Sequence, residues 1–210
     1  MAYQVLIADD YRMIRQMLEM TIAHAAEFEL AGRAANAAEA IRFCRNTPVD
    51  LVIMDVVMGL GMDGIDAAAE IKRLRPGTKI LIITSMAEST YLTRARESGA
   101  DSFWHKEVQE QPLLDVMRRT MAGESVYPDG MPEVWLGQTV STELTPRELD
   151  VLRGLVGGST NGEIAAELGI SERTVKQHVT DMLNKTGFKS RLQLAVQARG
   201  GGLVINDQEE

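Results

Sequence analysis

The chain has 210 residues, 45% of them hydrophobic and 25% charged, with a formal net charge of −8. That balance fits a folded globular protein and excludes a disordered one. The longest apolar runs, LVIM at 51–54 and ILII at 80–83, are too short to span a bilayer. The N-terminal MAYQVLI lacks the basic and long apolar regions of a secretion signal. One cysteine, Cys44, excludes an internal disulfide and fits a reducing compartment, so a cytoplasmic protein without a membrane partner is expected. The charge is uneven: −6 over residues 1–142, +1 over 143–200 and −3 over the last ten. The acidic part is poorly suited to approach a polyanion, and 143–200 is better placed to do so.

In chain order, apolar strand-like runs fall at 3–8, 28–34, 50–55, 79–84 and 101–105. Helix-like stretches follow them at 12–25, 36–46, 64–74, 88–97 and 111–122. Five strand–helix pairs predict a doubly wound α/β domain with a five-stranded, mainly parallel sheet. Near-continuous apolar strands fit a sheet covered on both faces. Residues 123–143, with Gly123, Pro128, Gly130, Pro132 and Gly137, break the rhythm. They read as a linker, partly docked through Val134, Trp135 and Leu136. From 145 the pattern is helical, at 146–157, 161–168, 172–185 and 191–199. TPRE at 145–148 and TNGE at 160–163 are capping boxes, and Ser171 and Ser190 can cap the remaining two helices. The domains are therefore set at 1–122, 144–200 for an all-α four-helix domain, and 201–210 for a fraying tail.

The stretch VLIADDYR at 5–12 ends an apolar run in two adjacent carboxylates, Asp9 and Asp10. Asp55 ends the third strand, Thr84 the fourth, and Lys106 follows the fifth. Doubly wound sheets bind ligands beyond the carboxyl ends of their strands. If the first and third strands are neighbours, three carboxylates share one crevice. A hard oxygen-bound dication, Mg²⁺, relieves their repulsion. A hydroxyl from Thr84 and an ammonium from Lys106 are the donors a phosphoryl group needs, and Asp55 is the natural nucleophile. Singly, each residue is an ordinary cap, strand residue or surface charge. It is their order and placement together that point to phosphoryl chemistry.

Residues 3–122 resemble the receiver domain of bacterial two-component response regulators, a flavodoxin-like fold, through ADD (8–10), MD (54–55), MDG (62–64), ITS (83–85) and FWHK (103–106). The resemblance implies phosphorylation of Asp55 by a cognate histidine kinase, with Mg²⁺ held by Asp10, Asp55 and a backbone carbonyl and assisted by Asp9. It also implies that Thr84 moves toward the phosphoryl group, that Phe103 is the switch aromatic and that Lys106 pairs with phosphoryl oxygens. The sequence departs from the family where DVVMGLGMDG (55–64) has Gly59 for proline and one extra residue, and where Glu107 rather than proline follows Lys106.

In SERTVKQHVTDMLNKTGF (171–188), Val175, Val179, Met182 and Leu183 form one apolar helical face. Arg173, Lys176, Gln177, Thr180 and Asn184 form the other, with groups suited to base edges and phosphates. The Gly169 turn before this helix is a helix-turn-helix signal. Residues 144–199 resemble a LuxR-type helix-turn-helix domain through LTPRELDVL, GSTN-x-EIA, LGISERTVKQHV and KSRLQLAV. With the receiver, this is the NarL/FixJ arrangement. It implies that Lys176, Gln177 and Thr180 lie near bases, and that Thr160, Arg173, His178, Lys185 and Lys189 contact phosphates. Gly162 stands where lysine is common, which removes one charge from the interface. A domain of charge +1 binds DNA weakly alone, so pairing on two half-sites is expected. The last helix has two apolar stripes, Leu192/Ala195/Val196 and Leu194/Ala198: one for its own core and one for a partner subunit.

The reading is a non-enzymatic, DNA-binding transcriptional response regulator. Mg²⁺-dependent phosphorylation of Asp55 switches it, and it dimerises on double-stranded promoter DNA when active. The alternative keeps the DNA binding and drops the phosphate, through the altered 59–61 loop. A rival of another class, an aspartate-phosphate phosphohydrolase, wants a second carboxylate two residues after its nucleophile, where this chain has Val57.

Overall fold

The structure is a computed structural model that describes residues 2–58, 62–87, 90–106, 112–201 and 203. The chain divides into two compact units, Met1–Ser85 with Tyr91–Gly130, and Met86–Thr90 with Met131–Glu210.

The α/β part runs β1 (Tyr3–Ala8), α1 (Arg12–Ala23), β2 (Phe28–Ala34), α2 (Ala37–Asn46), β3 (Leu51–Asp55), α3 (Gly64–Leu74), β4 (Lys79–Thr84), α4 (Thr90–Glu97), β5 (Ser102–His105) and α5 (Leu113–Met121). Its five strands are all parallel, in the order β2-β1-β3-β4-β5. Strand side chains alternate between the faces. On one face, Val5, Ile7, Leu51, Ile53, Leu81, Ile83 and Trp104 meet Leu18 and Ile22 of α1 and Leu113, Val116 and Met117 of α5. α2 and α3 pack on each other and against the strands, burying Ile41, Ile65, Ala68 and Ile71. This two-sided cover is why the strands carry no polar alternation. Cys44 is buried in α2, and burial pushes its thiol up to about 11, so it serves as a small apolar residue.

β1 is the hinge of the topology: the chain crosses from it to β2 on one side, and β3 lies on the other. Val5 pairs with Leu51 and Ala8 with Met54. The ends of β1 and β3 are therefore side by side at the topological switch point, where such sheets bind ligands.

The second unit contains a small antiparallel hairpin, β6 (Trp135–Leu136) and β7 (Thr139–Val140), and a 3-10 turn at Ser141–Glu143. Helices α6 (Pro146–Val156), α7 (Asn161–Leu168), α8 (Glu172–Thr186) and α9 (Arg191–Gly200) follow. Thr145 and Thr160 complete reciprocal capping boxes with Glu148 and Glu163, and Ser171 and Ser190 cap α8 and α9. The core is Leu149, Leu152, Leu155, Ile164, Val175, Met182, Leu194 and Ala198.

Part of the segment read as a linker is structured. Leu136 is buried, and the hairpin tip is fixed on the end of α8, where the Gln138 N–H donates to Thr186 O at 2.9 Å. Gly137 has φ +65°, and a Cβ there would sit 2.1 Å from Thr186 O, so the tip requires glycine. Two-residue strands leave too short a period to be seen in sequence. Trp135, expected to help dock the segment, is 71% exposed.

Candidate functional site

The acidic crevice is built from strand ends. β1 delivers Asp9, fully buried, and the partly buried Asp10; β3 delivers Asp55, 7% exposed. One carboxylate oxygen from each lies within 4.8 Å of the others. Octahedral Mg²⁺ at about 2.1 Å separates its ligand oxygens by roughly 3–4 Å. The donor set is all oxygen and the spacing closes onto such an ion with small shifts, so the residues present fit Mg²⁺.

Two cations answer the repulsion between the carboxylates. Lys106 Nζ donates to Asp9 Oδ2 at 2.7 Å and to Asp55 Oδ1 at 2.9 Å, with its side chain only 11% exposed. Arg15, one turn into α1, donates from Nη1 to the backbone carbonyls of Asp9 (2.5 Å) and Asp10 (2.8 Å). Sequence reasoning missed Arg15. The signal was a basic residue on the first turns of the helix that follows the acidic pair. The Tyr11 N–H also fixes Asp9 by donating to Oδ1 at 2.9 Å.

Burial pushes the Asp55 carboxyl up, to about 7, against the pull of Lys106 and with a further push from Asp9. Burial alone would lower Lys106, but Asp55 and Asp9 outweigh it and hold the ammonium above its ordinary value. The crevice thus has more negative charge than its one ammonium neutralises. A dication held by these carboxylates would favour the ionised form of Asp55.

Thr84 is buried at the end of β4, one residue past the Ile83 that pairs with Asp55. The Lys106 N–H donates to Thr84 O at 2.8 Å, which ties the β4 and β5 ends together. Phe103 pairs with Ile82 and is 1% exposed. His105 is a buried strand residue that pairs with Thr84. Gly64, at the start of α3, passes so close to β3 that a Cβ would lie 1.8 Å from Asp55 O. That close approach explains the glycine of MDG at 62–64. The altered loop 59–61 and Glu107 lie outside the described residues.

The second candidate surface is α7–turn–α8. Gly169 closes α7 at φ +64° with its N–H on Ala165 O, and Ser171 accepts from the Thr174 N–H at 3.1 Å to open α8. Val175 and Met182 are buried, Val179 and Leu183 half-buried. Arg173, Lys176, Gln177, Thr180 and Asn184 are exposed on the opposite side. Gln177 Nε2 rests on Asp181 Oδ1 (2.9 Å), and the Thr180 hydroxyl donates to Lys176 O (2.9 Å). Thr160 is committed to its capping box, His178 is half-buried and Lys189 is exposed. Lys185 differs most from expectation: Nζ donates to the buried Glu148 at 2.7 Å and to Glu143 O at 3.1 Å. Its charge is engaged within the unit, because a buried capping carboxylate needs a counter-ion. Arg191, another residue missed, ties α9 to the α6–α7 turn through Ser159 O (2.7 Å) and Asn161 Oδ1 (3.0 Å). Gly162 faces Glu172, whose Oε1 would be 2.8 Å from a Cβ there.

A sheet with three carboxylates and a lysine at its switch point, followed by a helix-turn-helix unit, defines a phosphoryl-switched regulator. Residues 5–118 match the family described as the response regulator receiver domain, and residues 142–198 match the bacterial regulatory proteins of the luxR family. The chain belongs to the two-component response regulators that combine these two parts. The response regulator protein VraR of Staphylococcus epidermidis is 33% identical over 209 residues, covering 97% of this chain and all of the relative. A crystal structure of a two-component response regulator of the LuxR family from Aurantimonas sp. is 27% identical with TM-score 0.56, over 60% of this chain and 89% of that one. A LuxR family DNA-binding response regulator from Silicibacter pomeroyi is also 27% identical with TM-score 0.52, over 60% of this chain and 98% of that one. The Asp9–Asp10–Asp55 cluster matches the acidic pocket with which receiver domains coordinate Mg²⁺. Members of this family act as DNA-binding switches and not as enzymes. Among the described residues, no helix is long and apolar enough to cross a membrane.

Proposed function

We propose that this regulator accepts a phosphoryl group on Asp55 from a cognate histidine kinase and, so modified, pairs with a second copy on double-stranded promoter DNA. Residues 1–122 are the receiver and 123–143 join it to the DNA-binding domain at 144–200; of the segment read as a tail, Leu203 is buried with its N–H on Ala198 O, and 202 and 204–210 lie outside the described residues. The observation that carries the reading is Lys106 bridging Asp9 and Asp55 inside one carboxylate cluster.

In the transfer, an Asp55 carboxylate oxygen bonds to phosphorus as the phosphorus–nitrogen bond of the kinase phosphohistidine breaks, and the imidazole leaves with the electron pair. Asp9, Asp10 and Asp55 would hold Mg²⁺, which when bound would supply charge neutralisation for the transfer. Lys106 is already placed to exchange a carboxylate contact for a phosphoryl oxygen. The Thr84 hydroxyl serves as the second donor, and Phe103 follows its movement. On DNA, Lys176, Gln177 and Thr180 face bases. Arg173, His178 and Lys189 lie toward phosphates, together with the Thr160 end of α7. Lys185 supports the fold and contributes least to this surface. Leu192 and Val196, 71% and 56% exposed on α9, form the self-association stripe, since Leu194 and Ala198 already serve the core.

The test is capture of genomic DNA fragments by the full chain with and without acetyl phosphate and Mg²⁺. Phosphodonor should enrich a discrete fragment set for the native protein and not for Asp55→Ala. Identical capture by both proteins, with and without donor, would contradict the switch.

A further inference from the structure

The segment that leaves α5 does not run freely into solvent. The Phe103 N–H donates to Val126 O at 2.8 Å, and the Val126 N–H donates to Ser102 Oγ at 3.1 Å. Ser102 Oγ also lies 2.7 Å from Thr120 Oγ1 of α5, and all three residues are buried. β5 is the last strand of the sheet, so this segment covers the edge that β5 would otherwise expose.

Tyr127 comes next and is held by three groups. Its ring stacks on Phe103 with centroids 6.2 Å apart and planes inclined by 28°. Its hydroxyl donates to Ala100 O, in the turn between α4 and β5, at 2.8 Å. The Arg96 guanidinium of α4 lies 4.5 Å from its ring centroid, a cation–π contact. One side chain thus touches the switch aromatic, the α4–β5 turn and α4 itself. Arg94 ties the same helix to Asp63, the cap of α3, at 2.6 Å.

We propose that Val126 and Tyr127 form the outlet of the receiver: rearrangement of Phe103 is passed by direct contact into the chain that leads to the DNA-binding domain. This rests on the reading of Asp55 as phosphoacceptor and Phe103 as switch aromatic. The physical reason is simple. Phe103 is closely packed, and its backbone N–H and its ring are both engaged by the exit segment. A close-packed aromatic cannot change rotamer or backbone position without breaking one of those contacts. Tyr127 is a positioning residue in this scheme and takes no part in phosphoryl transfer.

The experiment is amide hydrogen exchange on the full-length protein with Mg²⁺, with and without acetyl phosphate, alongside the intact mass. In the native chain, exchange at the Phe103 and Val126 amides should shift together on phosphorylation, by about fivefold or more. In Tyr127→Ala the shift at β5 should persist while that at Val126 is reduced, since of the contacts to Phe103 only its N–H bond to Val126 O remains. Tyr127→Phe, which keeps the ring and loses only the hydroxyl bond to Ala100, should retain both. A chain that carries one phosphoryl group and shifts at Phe103 but not at Val126 overturns the outlet. So does a Tyr127→Ala protein in which Val126 responds as fully as in the native chain. A chain that gains no phosphoryl mass overturns the phosphoacceptor reading, and the outlet with it.

Discussion

Arg15 is the side chain whose role is clearest only in three dimensions. Its guanidinium holds the backbone carbonyls of both Asp9 and Asp10, and so fixes the chain that carries two of the carboxylates. Partners of this kind typically change metal affinity by about 10–100-fold. Arg15→Ala should therefore weaken Mg²⁺ binding by about tenfold in a calorimetric titration. Arg15→Lys, with a single donor centre, should recover part of it; equal affinity in all three proteins would remove the role. Asp9, Asp10, Asp55, Thr84 and Lys106 were legible because each closes an apolar run, a one-dimensional signal. Arg15 was not, since a basic residue at the start of a helix has no pattern of its own. Tyr127 was hidden for a similar reason: its partners lie 24 to 31 positions back, at Phe103, Ala100 and Arg96.

At the scale of elements, the strands were readable because two-sided burial writes an apolar run, and the helices of the second unit because Thr145, Thr160, Ser171 and Ser190 announce their starts. The hairpin β6–β7 was not, because its pairing depends on the end of α8. The cap of α6 is also a link to α8. Glu148 accepts from the Thr145 N–H and from Lys185, both at 2.7 Å, and is 4% exposed. Burial raises its carboxyl, but the bonds from Lys185 and Thr145 outweigh this and hold it below the ordinary 4.5. A lowered acid contributes stability that is complete above pH 4.5 and disappears as pH falls through the lower folded value. Glu148→Gln should cost about 1–2 kcal/mol at pH 7, with Lys185 half-exposed limiting the effect. The gap to the native protein should narrow on acidification below 4.5 in urea unfolding of the helical transition. A gap independent of pH would show that packing, not the ion pair, carries the contribution.

For the whole molecule, charge and surface divide the work. The net −6 of residues 1–142 disfavours their approach to DNA, while the +1 of 143–200 gives only a weak general attraction. Self-association would add affinity, and the exposed Leu192 and Val196 are the seam proposed for it. Leu192→Glu should leave the fold intact, because that side chain contributes little to the core. It should reduce DNA retention by phosphorylated protein by about tenfold or more, read by electrophoretic mobility shift on captured fragments. Unaltered retention would place the seam elsewhere. All of this depends on one chemical event at the crevice formed by β1, β3 and β5. The most direct test is the intact mass of the full chain after acetyl phosphate treatment, with peptide mapping. The account predicts one phosphoryl group on Asp55 that requires Mg²⁺ and is absent from Asp55→Ala. Phosphate on another residue, or equal incorporation after chelation of the metal, would contradict it.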